Sequence, residues 1–150
     1  MEPHLFEEVA DIVTGMAPQG LGELRMRFHR RGIKVWFGPS KPPKLHYEAQ
    51  IVGRRYVDDI DGMAIEIGFH AELPDEQANQ DAINVLTAAK SAWKKELGSV
   101  AEADGFLGNI KWRRFSEVWI EPELEEPDFA FEIGSRLVDY LELLEPIRQG

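Results

Sequence analysis

Strict alternation of apolar and polar residues in two short stretches constrains the fold more than any other feature of the chain. The first stretch is "LHYEAQIV" at 45–52 and the second is "MAIEIGFHAE" at 63–72. A period of two is typical of a β-strand that buries one face, because successive side chains point to opposite sides. The two strands, joined by a polar stretch at 53–62, predict an antiparallel pair with one apolar and one polar face.

The polar face of this predicted pair would bring two His-x-Glu sequences together. His46 and Glu48 share a face by alternation, as do Glu66, His70 and Glu72. An antiparallel register that sets His46 opposite His70 is available. Imidazoles and carboxylates suit a divalent ion such as Zn²⁺ or Mn²⁺, so one hypothesis is a metal site formed by His46, Glu48, His70 and Glu72. The alternative, which the sequence alone favours, is a structural or interface face whose charges pair across strands, because His-x-Glu is less specific than HExxH.

The rest of the chain supplies three helices and three further strands. Apolar residues recur at three-to-four spacing in 4–16, 75–97 and 128–147, which predicts amphipathic helices. Two strands flank a predicted tight turn at Arg31-Gly32, which would set Phe28 opposite Val35, and the last strand is "NIKWRRFSEVWIE".

These elements predict the α+β class. Their order is α-β-β-β-β-α-β-α, in a single domain that spans 1–150. Helices that need apolar surface, and strands with one apolar face, together favour a two-layer α/β sandwich with a mainly antiparallel sheet. The polar face of that sheet is left for water, a ligand or a partner.

The charge of the chain is uneven. The net charge is −10, which disfavours general affinity for nucleic acid or for an anionic membrane. Residues 21–56, however, carry nine Lys or Arg against two Glu, a net charge of +7. The favoured explanation is a basic group of strands beside acidic helices. The alternative is a surface that binds anions or nucleic acid, for which the candidate residues are Arg25, Arg27, Lys34 and Trp36.

Several kinds of chemistry are missing from the sequence. Without cysteine, the chain has no disulfide, iron–sulfur or thiolate zinc site, which favours a reducing, cytoplasmic location. The acidic start lacks a signal-peptide pattern, and no apolar run reaches the ~18 residues of a membrane span. Neither the GxSxG motif of serine hydrolases nor the GxGxxG motif of dinucleotide-binding proteins occurs. No lysine has an acidic residue two positions before it, so the usual site of a restriction-type nuclease is missing as well. No catalytic residues are therefore assigned, which favours a protein that is not an enzyme.

From residue 45 to about 148 the order of features resembles a known family. A glutamate-bearing strand "IEIGFHAE" leads to the helix "QANQDAINVLTAAKSAWKKELG", then to the strand "KWRRFSEVWI" and a closing helix that ends "LELLEPI". This order is similar to that of an uncharacterised prokaryotic domain of unknown function, which is found downstream of nuclease-like modules. The resemblance implies an accessory role, and the family has no assigned catalytic residues to transfer.

The leading interpretation is a non-enzymatic, cytoplasmic interaction module that binds a protein partner and forms a homodimer, without a cofactor. The dimer is expected because the open sheet face would carry Trp36 and either Phe115 or Trp119, and aromatic residues are enriched at interfaces. The first alternative is a metal-dependent hydrolase that uses the two His-x-Glu pairs and a divalent ion. The second is anion or nucleic-acid contact through residues 21–56.

Overall fold

The structure, a computed structural model, describes residues 4–53, 63–98, 102–106, 109–120, 126 and 128–150. Within these ranges four helices form, and their bounds are α1 Leu5–Met16, α2 Glu76–Ala88, α3 Lys90–Leu97 and α4 Phe129–Gln149. The strands are β1 Leu24–His29, β2 Gly32–Phe37, β3 Leu45–Gly53, β4 Met63–Ala71, β5 Glu102–Phe106 and β6 Asn109–Ile120. None of the described helices is long and apolar enough to cross a membrane.

The strands form one antiparallel sheet in the order β1-β2-β3-β4-β6-β5, with the helices packed on it. This confirms the predicted α+β class and the antiparallel sheet. The detailed order differs in two places, because the helix predicted at 75–97 is two helices and β5 precedes β6. The predicted connection at 53–62 lies, apart from Gly53, outside the described residues.

The break between α2 and α3 has a local cause. The carbonyl of Leu86 accepts the indole N–H of Trp93 at 2.7 Å and the backbone N–H of Ala89 at 3.1 Å. These two donors take the place of the backbone N–H of Lys90, which would bond to this carbonyl in a regular α-helix. Ala89 takes φ −102° and ψ 29°, and the chain restarts as α3. The apolar stripe continues through the break, so Trp93 and Leu97 are still buried.

The β1–β2 hairpin has a different register from the predicted one. Phe28 lies opposite Ile33 rather than Val35, and the two turn residues are Arg30 and Arg31. The shift is two residues, so each side chain keeps its predicted face. Gly32 pairs with His29 and also with the neighbouring strand β3, where a Cβ would collide with the backbone of β3.

The apolar core lies between the sheet and the helices. Tyr47, Phe69 and Phe115 form one cross-strand row of this face, and all three are fully buried. Phe115 packs edge-on against Trp93 of α3 with ring centroids 4.8 Å apart. Trp119 similarly contacts Phe129 of α4. Phe115 and Trp119 therefore belong to the helix side, and neither occupies the polar face where the dimer prediction needed one of them.

The opposite face of the sheet is polar, as predicted, but it is buried. Glu66 and His70 are completely inaccessible to solvent, and Ser116 beside them is too. Strands β4 and β6 leave no room for a side chain at Gly68, where an added Cβ would lie 2.5 Å from the Phe115 carbonyl oxygen. Gly68 also has φ +153°, a backbone conformation that other residues rarely adopt. The sequence left this face for water, a ligand or a partner, and in this part of the sheet the described side chains are closed to bulk water.

Candidate metal centre

The polar face contains a compact group of ligand-type side chains. In the β3–β4 ladder His46 lies directly opposite His70, the register that the sequence made available. Alternation then brings the remaining members to the same side. One nitrogen or oxygen from each side chain lies within 4.8 Å of the others, and we call this group the His/Glu cluster: His46, Glu48, His70 and Glu72.

Four of the six distances between the facing atoms are near those of a coordination shell, and all four atoms lie within 4.8 Å of one another. His46 Nε2 lies 2.9 Å from Glu48 Oε1 and 3.8 Å from Glu72 Oε2. His70 Nδ1 lies 3.1 Å from Glu48 Oε1 and 3.2 Å from Glu72 Oε2. Zinc bonds of ~2.0–2.1 Å in a tetrahedron place ligand atoms ~3.3 Å apart. The measured distances lie on both sides of that value, so small side-chain movements would accommodate an ion.

Both histidines have their other ring nitrogen held by an acceptor. His46 Nδ1 lies 2.9 Å from the Pro43 carbonyl oxygen, which can only accept, so Nδ1 carries the proton. His70 Nε2 donates to the buried carboxylate of Glu66 at 2.7 Å. An outer carbonyl or carboxylate of this kind is the usual partner of a metal-binding histidine, because it fixes the tautomer and the ring orientation. His46 Nε2 and His70 Nδ1 are thereby directed at the cluster.

The carboxylate of Glu48 is held in the same way. The backbone N–H of Arg31 donates to His29 Nδ1 at 3.2 Å, so the proton of His29 is on Nε2. His29 Nε2 then donates to Glu48 Oε2 at 2.8 Å. Glu48 Oε1 is left facing the two cluster histidines. Three of the four members of the cluster therefore have an outer hydrogen-bond partner.

The histidines and carboxylates of the site shift one another's pKa values strongly. Burial alone would raise the pKa of Glu48, but hydrogen bonds from His29, His46 and His70 hold that pKa well below its ordinary value. Burial opposes the charge of Glu66 too, and the neighbouring His70 lowers the pKa of this carboxyl. Burial would lower the pKa of His70, whereas the charge of Glu66 and the hydrogen bonds that His70 donates to the carboxylates raise it well above its ordinary value. Two acids are thus held ionised, and their negative charge can be balanced either by a proton on the imidazole or by a bound cation.

The cluster is almost sealed from water. The exposed fractions of the His46 and Glu72 side chains are 1% and 10%, and those of His70 and Glu48 are 0% and 5%. Buried carboxylates need a positive partner, since an isolated buried charge is strongly unfavourable. Chemically, the arrangement can hold a proton network or one divalent ion with two nitrogen and two oxygen ligands.

The residues predicted for anion binding lie on the same face but do not form one site. Arg27 and Lys34 are paired across β1 and β2, and Lys34 continues the row to Glu48. Arg25 donates to the Gly38 carbonyl and pairs with Glu23 at 2.6 Å.

Trp36 belongs to this predicted set as well. It is buried, with 3% of its surface exposed, and its indole donates to the Pro39 carbonyl. Trp36 therefore offers no open ring for stacking on a base. The anion-binding role of the set stays a prediction.

Sequence reasoning missed the outer partners of the cluster. His29 was not singled out, although its alternation with Met26 and Phe28 places it on the polar face. Pro43 gave no signal, because its contribution is a backbone carbonyl. Glu66 was placed on the correct face, but its contact with His70 depends on a four-residue spacing along β4 that alternation alone does not single out.

Comparison of the chain with protein-family models, with curated proteins and with solved structures gives no match. The resemblance of residues 45–148 to an uncharacterised prokaryotic domain therefore stays a prediction, and the chemistry of the site carries the functional conclusion.

Proposed function

We propose that the protein binds one divalent metal ion at the His/Glu cluster, with Zn²⁺ as the preferred ion. The observation that carries this proposal is the directed geometry of the histidines. Each uses one ring nitrogen to donate to an outer acceptor, and the other faces the carboxylates of Glu48 and Glu72. Nitrogen and oxygen ligands in this number suit Zn²⁺, whereas Mg²⁺ and Ca²⁺ prefer oxygen alone.

The charges of the site support a divalent ion. Glu48 and Glu72 together supply two negative charges, which one Zn²⁺ neutralises, and their pairing would no longer require protonated imidazoles. The ion would join β3 to β4 and to the residue that follows β4. A closed set of four protein ligands is typical of zinc sites that stabilise a fold. We therefore assign the ion a stabilising role in a module that binds rather than hydrolyses.

The test is metal analysis of protein that has been produced without a polyhistidine tag. We expect about one Zn²⁺ per chain after equilibration and removal of free metal. Zn²⁺ at 100 times its dissociation constant should stabilise the fold by about 2.7 kcal/mol. Glu48→Gln should weaken binding by more than about 100-fold, because even a change in an outer partner costs ~10–100-fold.

The matched control is His4→Gln, because His4 is an exposed histidine outside the His/Glu cluster, with its Nδ1 3.3 Å from Glu7. It should bind Zn²⁺ as the unaltered protein does. Binding that survives Glu48→Gln but falls in His4→Gln would show that the ion is held at the surface, and substoichiometric metal in the unaltered protein would contradict the proposal.

The interaction module, the homodimer and the cytoplasmic location stay predictions. Trp36 was the expected anchor of the dimer, but a side chain that is 3% exposed in a single chain has little surface to give to a partner. A dimer would have to use other apolar residues, of which Phe131 on α4 is half exposed. Light scattering at micromolar concentration tests this, and a mass of 17 kDa at all concentrations would exclude the dimer.

A further inference from the structure

A pocket of about 320 Å³ lies where β2 and β3 separate. The β2–β3 ladder ends at Val35 and Tyr47 although both strands continue, to Phe37 and from Leu45. Leu73 beyond β4 and the C-terminal end of α4 complete the wall. No member of the His/Glu cluster lines this pocket, so it is a second candidate site. Its volume is at the lower end of the range for small-molecule sites, which suits a small ligand.

Hydrogen bonds fix the backbone of the wall and occupy its carbonyl oxygens. The indole of Trp36 donates to the Pro39 carbonyl at 2.6 Å. Asn79, which is completely buried, accepts the Leu73 N–H at 2.7 Å and donates to the Leu73 carbonyl at 2.9 Å. The Pro43 carbonyl accepts a histidine N–H at 2.9 Å. The wall is therefore formed before a ligand binds, so that little further entropy is lost in ordering it.

Glu145 supplies the only carboxylate among the described residues of the wall, and both of its oxygens are occupied. Oε1 accepts the Tyr47 hydroxyl at 3.0 Å and Arg148 Nη1 at 2.6 Å. Oε2 accepts the Gln149 amide at 3.0 Å. A ligand that donates hydrogen bonds would have to compete with these donors.

The donors of the wall, by contrast, are not all used. The guanidinium of Arg148 lies 4.6 Å from the centroid of the Phe69 ring, and within the described part of the chain this side chain donates only through Nη1. Lys44 is exposed, and its ammonium forms no ion pair with a described residue. These two cations against Glu145 give the wall a net charge of +1. Unused N–H groups and a positive charge favour an anion.

We propose that this pocket binds a small carboxylic acid with an apolar body, in its anionic form. The carboxylate binds the guanidinium of Arg148, whose planar fork of N–H groups matches two oxygens. Lys44 attracts the anion from the exposed edge of the wall. The apolar body packs against Trp36, Pro39 and Leu73, which line the pocket. The site needs no metal ion, so the inference is independent of the proposed function.

Calorimetric titration with 3-phenylpropanoate tests the proposal. Two matched probes keep the ring and change the head group, since 3-phenylpropanamide is neutral and 3-phenylpropylamine is a cation. Acetate keeps the head group without the ring. We expect 3-phenylpropanoate to bind with a dissociation constant below about 1 mM, and each of the other three to bind at least ~10-fold more weakly. Equal binding of the amide, tighter binding of the amine, or no saturation by the acid at ~10 mM would contradict the proposal.

Arg148→Gln tests the contact with the head group. We expect 3-phenylpropanoate to bind this variant at least ~10-fold more weakly, because a hydrogen bond between charged groups contributes at least that factor. Lys44→Gln should weaken binding by about 2–5-fold, since an exposed charge contributes less. The matched control is Lys41→Gln, an exposed residue of the same loop that does not line the pocket, and its affinity should be unchanged.

Thermal unfolding checks that each variant is folded, and Lys44→Gln, an exposed change, carries the test alone if Arg148→Gln does not fold. Unchanged affinity in a folded Arg148→Gln, or an equal loss in Lys44→Gln and Lys41→Gln, would overturn the inference. Arg148→Gln should bind Zn²⁺ as the unaltered protein does, because Arg148 lies on the helix side of the sheet. Failure to bind Zn²⁺ in the unaltered protein would contradict the proposed function and leave the pocket as a separate site.

Discussion

Both faces of the sheet bury charged side chains, but their carboxylates face different kinds of partner. On the helix side, Glu117 accepts hydrogen bonds from Arg136 Nε at 2.9 Å and from the Tyr140 hydroxyl at 2.7 Å. On the polar side, Glu48 and Glu66 face imidazoles at similar distances. Burial and distance therefore do not distinguish the two regions.

The distinction lies in whether the donor can give up its proton. Burial opposes the charge of Arg136, but Glu117 raises its pKa further above an already high value. Burial, and then the charge of Glu117, raises the pKa of Tyr140 far above its ordinary range. Both groups stay donors at any physiological pH. An imidazole can lose its proton and present a lone pair, so of the described groups compared above only those on the polar face can exchange protons for a metal ion.

The sharpest test of this comparison is to remove one negative charge from each face. Glu66→Gln should weaken Zn²⁺ binding by ~10–100-fold, because Glu66 holds the ring of His70 without touching the ion. Glu117→Gln should leave Zn²⁺ affinity unchanged. It should lower the free energy of unfolding by about 2–3 kcal/mol, less than the ~3–5 kcal/mol of a fully buried pair, since Arg136 is partly exposed.

Zinc titration and urea unfolding of both variants measure these effects. Loss of metal affinity in Glu117→Gln comparable to that in Glu66→Gln would show that the carboxylates on both faces support the cluster equally. That result would remove the distinction between a site and a structural ion pair.

The second prediction concerns pH. With metal removed by a chelator, Glu48 and Glu66 have lowered pKa values in the fold, so their stabilisation is present above about pH 4.5 and is lost as the pH falls further. His70 has a raised pKa, so its stabilisation is complete below about pH 6.5 and is lost as the pH rises towards its folded pKa. Stability should therefore be highest between these two values.

Zinc should reverse the trend at higher pH, because its binding displaces protons from the histidines. The stabilisation that saturating Zn²⁺ provides should grow from pH 6 to pH 8, whereas the chelated protein loses stability over the same interval. Thermal unfolding at several pH values, with chelator and with Zn²⁺, measures both curves. Parallel curves would mean that the imidazole protons and the ion do not compete.

The part of the site that could be predicted from the sequence is the part that alternation determines. Parity along β3 and β4 placed His46, Glu48, His70 and Glu72 on one face, and the ladder pairs the two histidines. The burial of this face could not be predicted, because alternation shows which side a residue is on and not whether that side is exposed.

The missed features of the fold have a similar origin. Ala89 and Lys90 favour a helix, so no local propensity signals the break there. It arises from a side-chain contact, the Trp93 indole on the Leu86 carbonyl. The predicted hairpin register was wrong by two residues. A turn at Arg30-Arg31 and a turn at Arg31-Gly32 both keep the apolar faces aligned, so the sequence pattern does not choose between them. Contacts formed by backbone carbonyls and by tertiary packing have no counterpart in residue periodicity.

The smallest predicted effect is also the most demanding test of the separation between the faces. The hydroxyls of Tyr47 and Tyr140 donate to buried carboxylates on the helix side, that of Tyr47 to Glu145 at 3.0 Å. Tyr47→Phe and Tyr140→Phe should each lower the free energy of unfolding by about 1–1.5 kcal/mol, because each carboxylate keeps an arginine. Tyr47 lies between His46 and Glu48 in the chain, yet its side chain points away from both. Zn²⁺ titration should therefore give unchanged affinity for both variants, and a change of more than threefold in Tyr47→Phe alone would show that the strand transmits packing changes to the metal centre.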